Sequence, residues 1–144
     1  MRKIMMIEDN EDHALLIKRG LEAPDCSVDH CINGLEALKI FQQVKNFDSR
    51  PNLILLDVQL PGMSGFDILK EIKKMAPLSH VPVIMLTTSA RREEIERAYQ
   101  FGASGYVVKS DDFPALIKKL TSIKEYWFSV VESPYQFVSP ARKS

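Results

Sequence analysis

The scarcities in this chain set the first limits. Its 144 residues contain two cysteines, Cys26 and Cys31. They stand five apart in a strand-like segment, an odd separation that points their side chains to opposite faces. No bridge between them is expected, and two thiols without further ligands nearby make a poor zinc site. Histidine is sparse too: His13, His30 and His80 are scattered. The longest apolar run is Val81–Leu86, six residues with Pro82 counted, where a membrane span needs ~20. The N-terminus turns acidic straight after Ile4–Ile7, which is not the pattern of a secretory signal, so a cytoplasmic location is expected. Neither charge sign dominates, with 19 basic and 19 acidic residues. No global field draws the chain to nucleic acid or anionic lipid, and neither partner is expected.

What is present is ordinary globular material: 45% apolar and 26% charged residues, at a length that suits one domain. A chain of this size buries roughly 68–70% of the surface its unfolded form exposes, so it needs no metal or disulfide to fold. Two hydrophobic periods alternate. Lys3–Ile7, Ser27–Ile32, Leu53–Val58, Val81–Leu86 and Tyr106–Val108 read as strands. Between them run stripes of helical spacing: Ala14, Ile17, Leu21; Leu35, Leu38, Phe41; Ile68, Leu69, Ile72, Met75, Ala76; and Ile95, Ala98, Tyr99, which stops before Gly102. A fifth, the cleanest, carries Phe113, Leu116, Ile117, Leu120, Ile123 and Trp127. Near-continuous apolar strands such as Leu53–Leu56 suit a parallel sheet covered on both faces, and right-handed crossovers make that a doubly wound α/β domain. The polar stretch from Asn46 to Asn52 reads as a surface loop. Residues 1–128 read as the domain and 129–144 as a C-terminal tail.

In open α/β sheets, ligands sit at the carboxyl ends of the strands. Here those ends carry Glu8 and Asp9, then Asp57, Thr87 and Lys109. Each residue alone reads as a cap or a solvated loop position; five together make a constellation. Carboxylates brought within ~4 Å of one another repel by ~4 kcal/mol per pair at an effective dielectric of 20. A raised pKa, the Lys109 ammonium or a divalent cation must offset this. Oxygen-only ligands point to Mg2+ or Mn2+ rather than zinc. A cation, a carboxylate nucleophile and a lysine together describe phosphoryl transfer to Asp57.

The segment Asn52-Leu-Ile-Leu-Leu-Asp57-Val-Gln-Leu-Pro61-Gly-Met-Ser-Gly65 resembles the phosphoacceptor segment of two-component response regulator receiver domains. Glu8-Asp9, Thr87 and Tyr106…Lys109 fall where that family has its other signatures, and the resemblance covers residues 3 to about 127. Leu86-Thr-Thr-Ser89, the long connection after the second helix and the closing Glu125-Tyr-Trp-Phe resemble single-domain regulators paired with bacterial phytochrome kinases. The resemblance implies a flavodoxin-like fold of five parallel strands, order 2-1-3-4-5, with five helices. It implies a stand-alone signalling protein, not a metabolic enzyme, that catalyses only its own phosphorylation and dephosphorylation.

By the same resemblance, Asp57 takes phosphate from a phosphohistidine on a sensor histidine kinase. Asp9 binds the metal directly, Glu8 orients it through water, and Asp57 and the backbone carbonyl of Gln59 complete the protein ligands. Lys109 holds a phosphoryl oxygen, Thr87 moves to bond another, and Tyr106 rotates inward as Thr87 moves. Gln59 and Ser89 tune the lifetime of the phosphoryl group. The face made by the fourth helix, fifth strand and fifth helix, with Trp127 and Phe128 nearby, then supports a phosphorylation-sensitive homodimer or docks an unidentified downstream protein.

One departure stands out. The family usually has proline after its lysine, often with a cis bond; this chain has Lys109-Ser110. A cis bond before a non-proline residue costs ~2.5–4 kcal/mol, so trans is expected. Rival functions remain. An aspartyl-nucleophile phosphatase needs a second acid two residues past the nucleophile, where this chain has Gln59. A flavodoxin-like cofactor carrier needs a phosphate loop after the first strand, where four carboxylates would repel the FMN phosphate. A degenerate receiver acting as a phosphorylation-independent binding module is the third alternative.

Overall fold

The computed structural model describes residues 1–46 and 49–132. Five parallel strands, β1 (Arg2–Ile7), β2 (Cys26–Cys31), β3 (Leu53–Leu56), β4 (Val83–Thr87) and β5 (Gly105–Val108), form one sheet in the order β2-β1-β3-β4-β5. Five helices alternate with them: α1 (Glu11–Leu21), α2 (Gly34–Gln42), α3 (Gly65–Lys74), α4 (Arg92–Gln100) and α5 (Phe113–Glu125). The expected architecture and strand order are both present. The last helix continues in a wider turn, Tyr126–Val130, across the expected domain boundary at 128. Residues 133–144, most of the expected tail, lie outside the described residues.

The central strands are largely apolar because they feed two cores. Met5 and Ile7 face the helices α2, α3 and α4, while Ile4 and Met6 face α1 and α5. Cys31 belongs to the first core and Cys26 to the second, as their odd spacing requires. Both thiols are free and buried, and burial pushes Cys31 up to about 11.

Several boundaries and stripes differ from expectation, each for a local reason. β4 begins at Val83 rather than Val81, since Pro82 has no N–H for the ladder; its carbonyl accepts from Ile54 N at 3.0 Å. β3 ends at Leu56, and Asp57 and Val58 turn out of the sheet towards Gly65. α3 stops at Lys74, and Ala76–Leu78 forms a 3-10 turn around Pro77. In α2 the buried positions are Gly34, Ala37, Leu38 and Phe41; Leu35 is 60% exposed. In α4 they are Glu94 and Ala98, with Tyr99 exposed. The buried face of α4 thus includes a glutamate that the expected stripe of Ile95, Ala98 and Tyr99 does not contain.

Candidate functional site

Glu8, Asp57, Thr87 and Lys109 stand at or one step beyond a strand end, with Asp9 one residue further on, and the sheet still grips the backbone there. Glu8 N donates to Cys31 O at 3.0 Å, Asp57 N to Ile7 O at 3.1 Å and Lys109 N to Thr87 O at 2.7 Å. Side chains leaving these positions converge above the carboxyl edge. Asn10 closes the first corner by accepting from His13 N at 3.0 Å, which starts α1 just after the acidic pair. Gly65 closes the second. A Cβ there would come within 2.1 Å of the Asp57 carbonyl oxygen, so only glycine lets α3 begin against the acceptor loop. Gly62 turns the intervening loop at φ +81°.

The side chains of Glu8, Asp57 and Lys109 are only 3, 9 and 7% exposed. The Lys109 ammonium donates to Glu8 Oε1 and, at 3.2 Å, to Asp57 Oδ2. Asp57 Oδ1 accepts from Gln59 N at 3.0 Å. Asp9 is exposed at the rim, and carboxylate oxygens of Glu8, Asp9 and Asp57 lie within 4.8 Å of one another. One ammonium does not neutralise this group. Burial, reinforced by Asp57 and opposed by Lys109, pushes the Glu8 carboxyl up to about 7. Its second oxygen, Oε2, is buried without a hydrogen-bond partner among the described residues. An all-oxygen cluster with excess negative charge and an orphaned carboxylate oxygen fits a hard divalent cation.

Thr87, Ser89 and Tyr106 fall in one chain of contacts, and Gln59 lies apart from it. Thr87 is fully buried, and its hydroxyl accepts from Ser89 N at 3.4 Å. The half-buried Tyr106 packs against the core and donates its hydroxyl to Ser89 O at 2.9 Å. Gln59 is exposed and shares a groove of about 610 Å³ with Asp9, Pro61, Ser64, Phe66 and Arg97. The Lys109–Ser110 peptide is trans, as expected.

Two histidines that look scattered along the chain meet beside Glu8. His30, paired with Met6 across β2 and β1, places Nε2 2.6 Å from Glu8 O, and His13 Nδ1 lies 3.9 Å from Glu8 Oε1. The sheet register that aligns His30 with the end of β1 is a tertiary fact. The position of His13 in the first turn of α1, two residues after Glu11 opens the helix, was the readable signal. Glu94 was missed as well.

Comparison with known proteins agrees with this geometry. Residues 4–121 match the response regulator receiver domain family. The chain is 32% identical over 137 residues to the response regulator Rcp1 of Synechocystis sp., covering 91% of this chain and 92% of that protein. Its fold matches the phosphorylated cyanobacterial phytochrome response regulator RcpA with a TM-score of 0.84 at 33% identity, over 92% of this chain and 98% of that one. The Mn2+-bound form of Rcp1 matches with a TM-score of 0.81 at 30% identity, over 93% and 99%.

Proposed function

The chain belongs to the response regulator receiver family, a signalling family rather than a class of metabolic enzyme, and from that premise we propose that Asp57 accepts a phosphoryl group from a sensor histidine kinase. The convergence of Glu8, Asp9 and Asp57 with Lys109 is the observation that carries this reading. In the transfer, an Asp57 carboxylate oxygen forms the new O–P bond as the P–N bond of the donor phosphohistidine breaks. The departing imidazole nitrogen keeps the electron pair.

Asp9, Asp57 and the Gln59 carbonyl would hold Mg2+ or Mn2+, with Glu8 acting through water, and the ion would supply Lewis-acid stabilisation of the phosphoryl oxygens. Lys109 lies 3.2 Å from Asp57 Oδ2, near enough to follow a phosphoryl oxygen with a charge-assisted bond. The Asp57 oxygens are already oriented by Lys109 and Gln59 N, so little reorganisation precedes attack.

Phosphorylation adds ~1.5–2 negative charges. That charge draws the Thr87 hydroxyl from Ser89 N towards the phosphoryl group. The loop after β4 shifts with it, Tyr106 follows, and the α4-β5-α5 face changes what it binds, either a second copy or a downstream protein. Gln59 and Ser89 set the lifetime by flanking the path of the hydrolytic water. Likeness to Rcp1 and RcpA supports a kinase of the bacterial phytochrome type. The receiver unit is residues 1–128, with 129–144 a tail.

Intact-mass measurement after incubation with acetyl phosphate and Mg2+ tests the reading. The wild type should gain one phosphoryl mass, and Asp57→Asn none. Equal masses in both would leave a phosphorylation-independent binding module as the better account.

A further inference from the structure

Four of the five helices begin with a side-chain cap: Asn10 for α1, Asn33 for α2, Ser64 for α3 and Asp112 for α5. α4 does not. Its N-cap residue is Arg91, which makes no side-chain capping bond. The loop that joins β4 to α4, which follows Thr87 and carries Ser89, is therefore held by something other than ordinary capping.

Glu94, in the first turn of α4, does this work from an unusual place. Its side chain is only 11% exposed, and Oε1 accepts from Arg91 Nη2 at 2.6 Å. The other oxygen, Oε2, is buried with no hydrogen-bond partner among the described residues. Burial pushes the Glu94 carboxyl up, but the Ser89 hydroxyl and the Arg91 guanidinium outweigh it and leave the acid below its ordinary value. The carboxylate is thus charged. A buried charge with half its acceptor capacity idle is costly to keep at a helix surface.

The same loop residue links this carboxylate to the switch. Ser89 Oγ accepts from Arg91 N at 3.3 Å, which ties the loop to the cation that Glu94 holds. Ser89 N donates to Thr87 Oγ1, and Ser89 O accepts from Tyr106. Every polar atom of Ser89 is therefore engaged, with Arg91 and Glu94 on one side and Thr87 and Tyr106 on the other.

We propose that Glu94 is a positioning residue: through Arg91 and Ser89 it holds the β4–α4 loop where Ser89 presents its amide to Thr87 and its carbonyl to Tyr106. This rests on the switch reading of Thr87 and Tyr106 given above. Glu94 touches neither the metal ligands nor the phosphoryl group; it sets where the loop starts before any charge arrives at Asp57. Replacing it with an uncharged isostere should release the Arg91 guanidinium, loosen Ser89 and free the Tyr106 hydroxyl without altering the core.

Fluorine NMR of protein labelled with 3-fluorotyrosine tests this in the absence of any phosphoryl donor. The chain has four tyrosines, and Tyr106→Phe assigns the resonance. Glu94→Gln should shift the Tyr106 resonance towards the solvent-exposed position, while Glu94→Asp, which keeps the charge, should hold it near the wild-type position. If Glu94→Gln does not fold, Arg91→Met decides, because the Arg91 side chain is 72% exposed and its loss leaves the core intact. An unmoved Tyr106 resonance in the folded Glu94→Gln protein, or in Arg91→Met where that variant decides, would overturn the proposal. So would equal shifts for Gln and Asp. Acetyl phosphate labelling of the wild type, run in parallel, separates failures: a phosphoryl mass gain with no Tyr106 shift removes only the positioning role of Glu94.

Discussion

Glu8 and Glu94 are two buried glutamates in the same small domain, and each pairs one oxygen with a cation while the other oxygen has no hydrogen-bond partner among the described residues. They nevertheless behave oppositely. The Glu8 carboxyl is pushed up to about 7, chiefly by burial, whereas Glu94 is drawn below its ordinary value by Ser89 and Arg91. Company decides the difference. Glu8 shares a single ammonium with Asp57 in a closed corner of the sheet, so its negative charge is in excess. Glu94 has a guanidinium to itself at the edge of the molecule. The first arrangement carries more negative than positive charge; in the second a guanidinium matches the carboxylate. Burial alone therefore does not identify a site; unbalanced charge does.

The largest break in this comparison should come from Lys109→Ala. Removing the ammonium that Glu8 and Asp57 share should slow acetyl phosphate labelling of Asp57 by roughly 10²-fold or more, the usual loss for a donor aimed at developing charge. Stopped time courses read by intact mass measure it, and a loss below tenfold would mean that Lys109 is not a phosphoryl contact.

Next in size is the pH response of the metal-free protein. A carboxyl whose folded pKa lies above its unfolded value favours the folded state when protonated, so its contribution is present below about 4.5 and lost as pH rises to about 7. The shift is worth roughly 3 kcal/mol across that window. Urea unfolding in EDTA should show wild-type stability falling from pH 4.5 to 7 relative to Glu8→Gln, and Mg2+ should restore it. Glu94 works with the opposite sign, its contribution being present at neutral pH and lost on acidification. Parallel profiles for wild type and Glu8→Gln would remove the contrast.

Gly65→Ala should follow, destabilising by about 1–3 kcal/mol, because the new methyl meets the Asp57 carbonyl that positions the acceptor. It should also slow labelling of Asp57, unlike a core substitution of equal cost. Smallest is Arg91→Met. An exposed partner in an i,i+3 pair is worth about 0–1 kcal/mol, so thermal unfolding should barely move. A larger loss would place the Glu94 pair in the same energetic class as the Glu8 cluster.

Much of this architecture is legible before folding. Leu53–Leu56, apolar at every position, announces a strand buried on both faces, and all four residues are buried. Asn10, Asn33, Ser64 and Asp112 stand where helix starts demand caps, and all four accept from the third residue on. Glu8, Asp57, Thr87 and Lys109 are legible because each follows directly on an apolar run, and Asp9 because it follows Glu8. Leu35 and Tyr99 misled because a helical stripe shows which residues share a face, not how far the neighbouring helix reaches over it. Glu94 escaped notice because a glutamate in the first turn of a helix reads as a solvated residue favoured by the dipole.

Alternating hydrophobic periods settle, by themselves, that this chain makes a parallel sheet wrapped in helices and that its reactive groups gather along one edge. Backbone geometry and the burial of apolar surface act locally along the chain, so they can be read there. Charge balance is different, because it depends on distances between residues far apart in sequence. Only the folded arrangement places the amine of Lys109 between Glu8 and Asp57, and only it gives Glu94 its own partner while making Glu8 share one with Asp57.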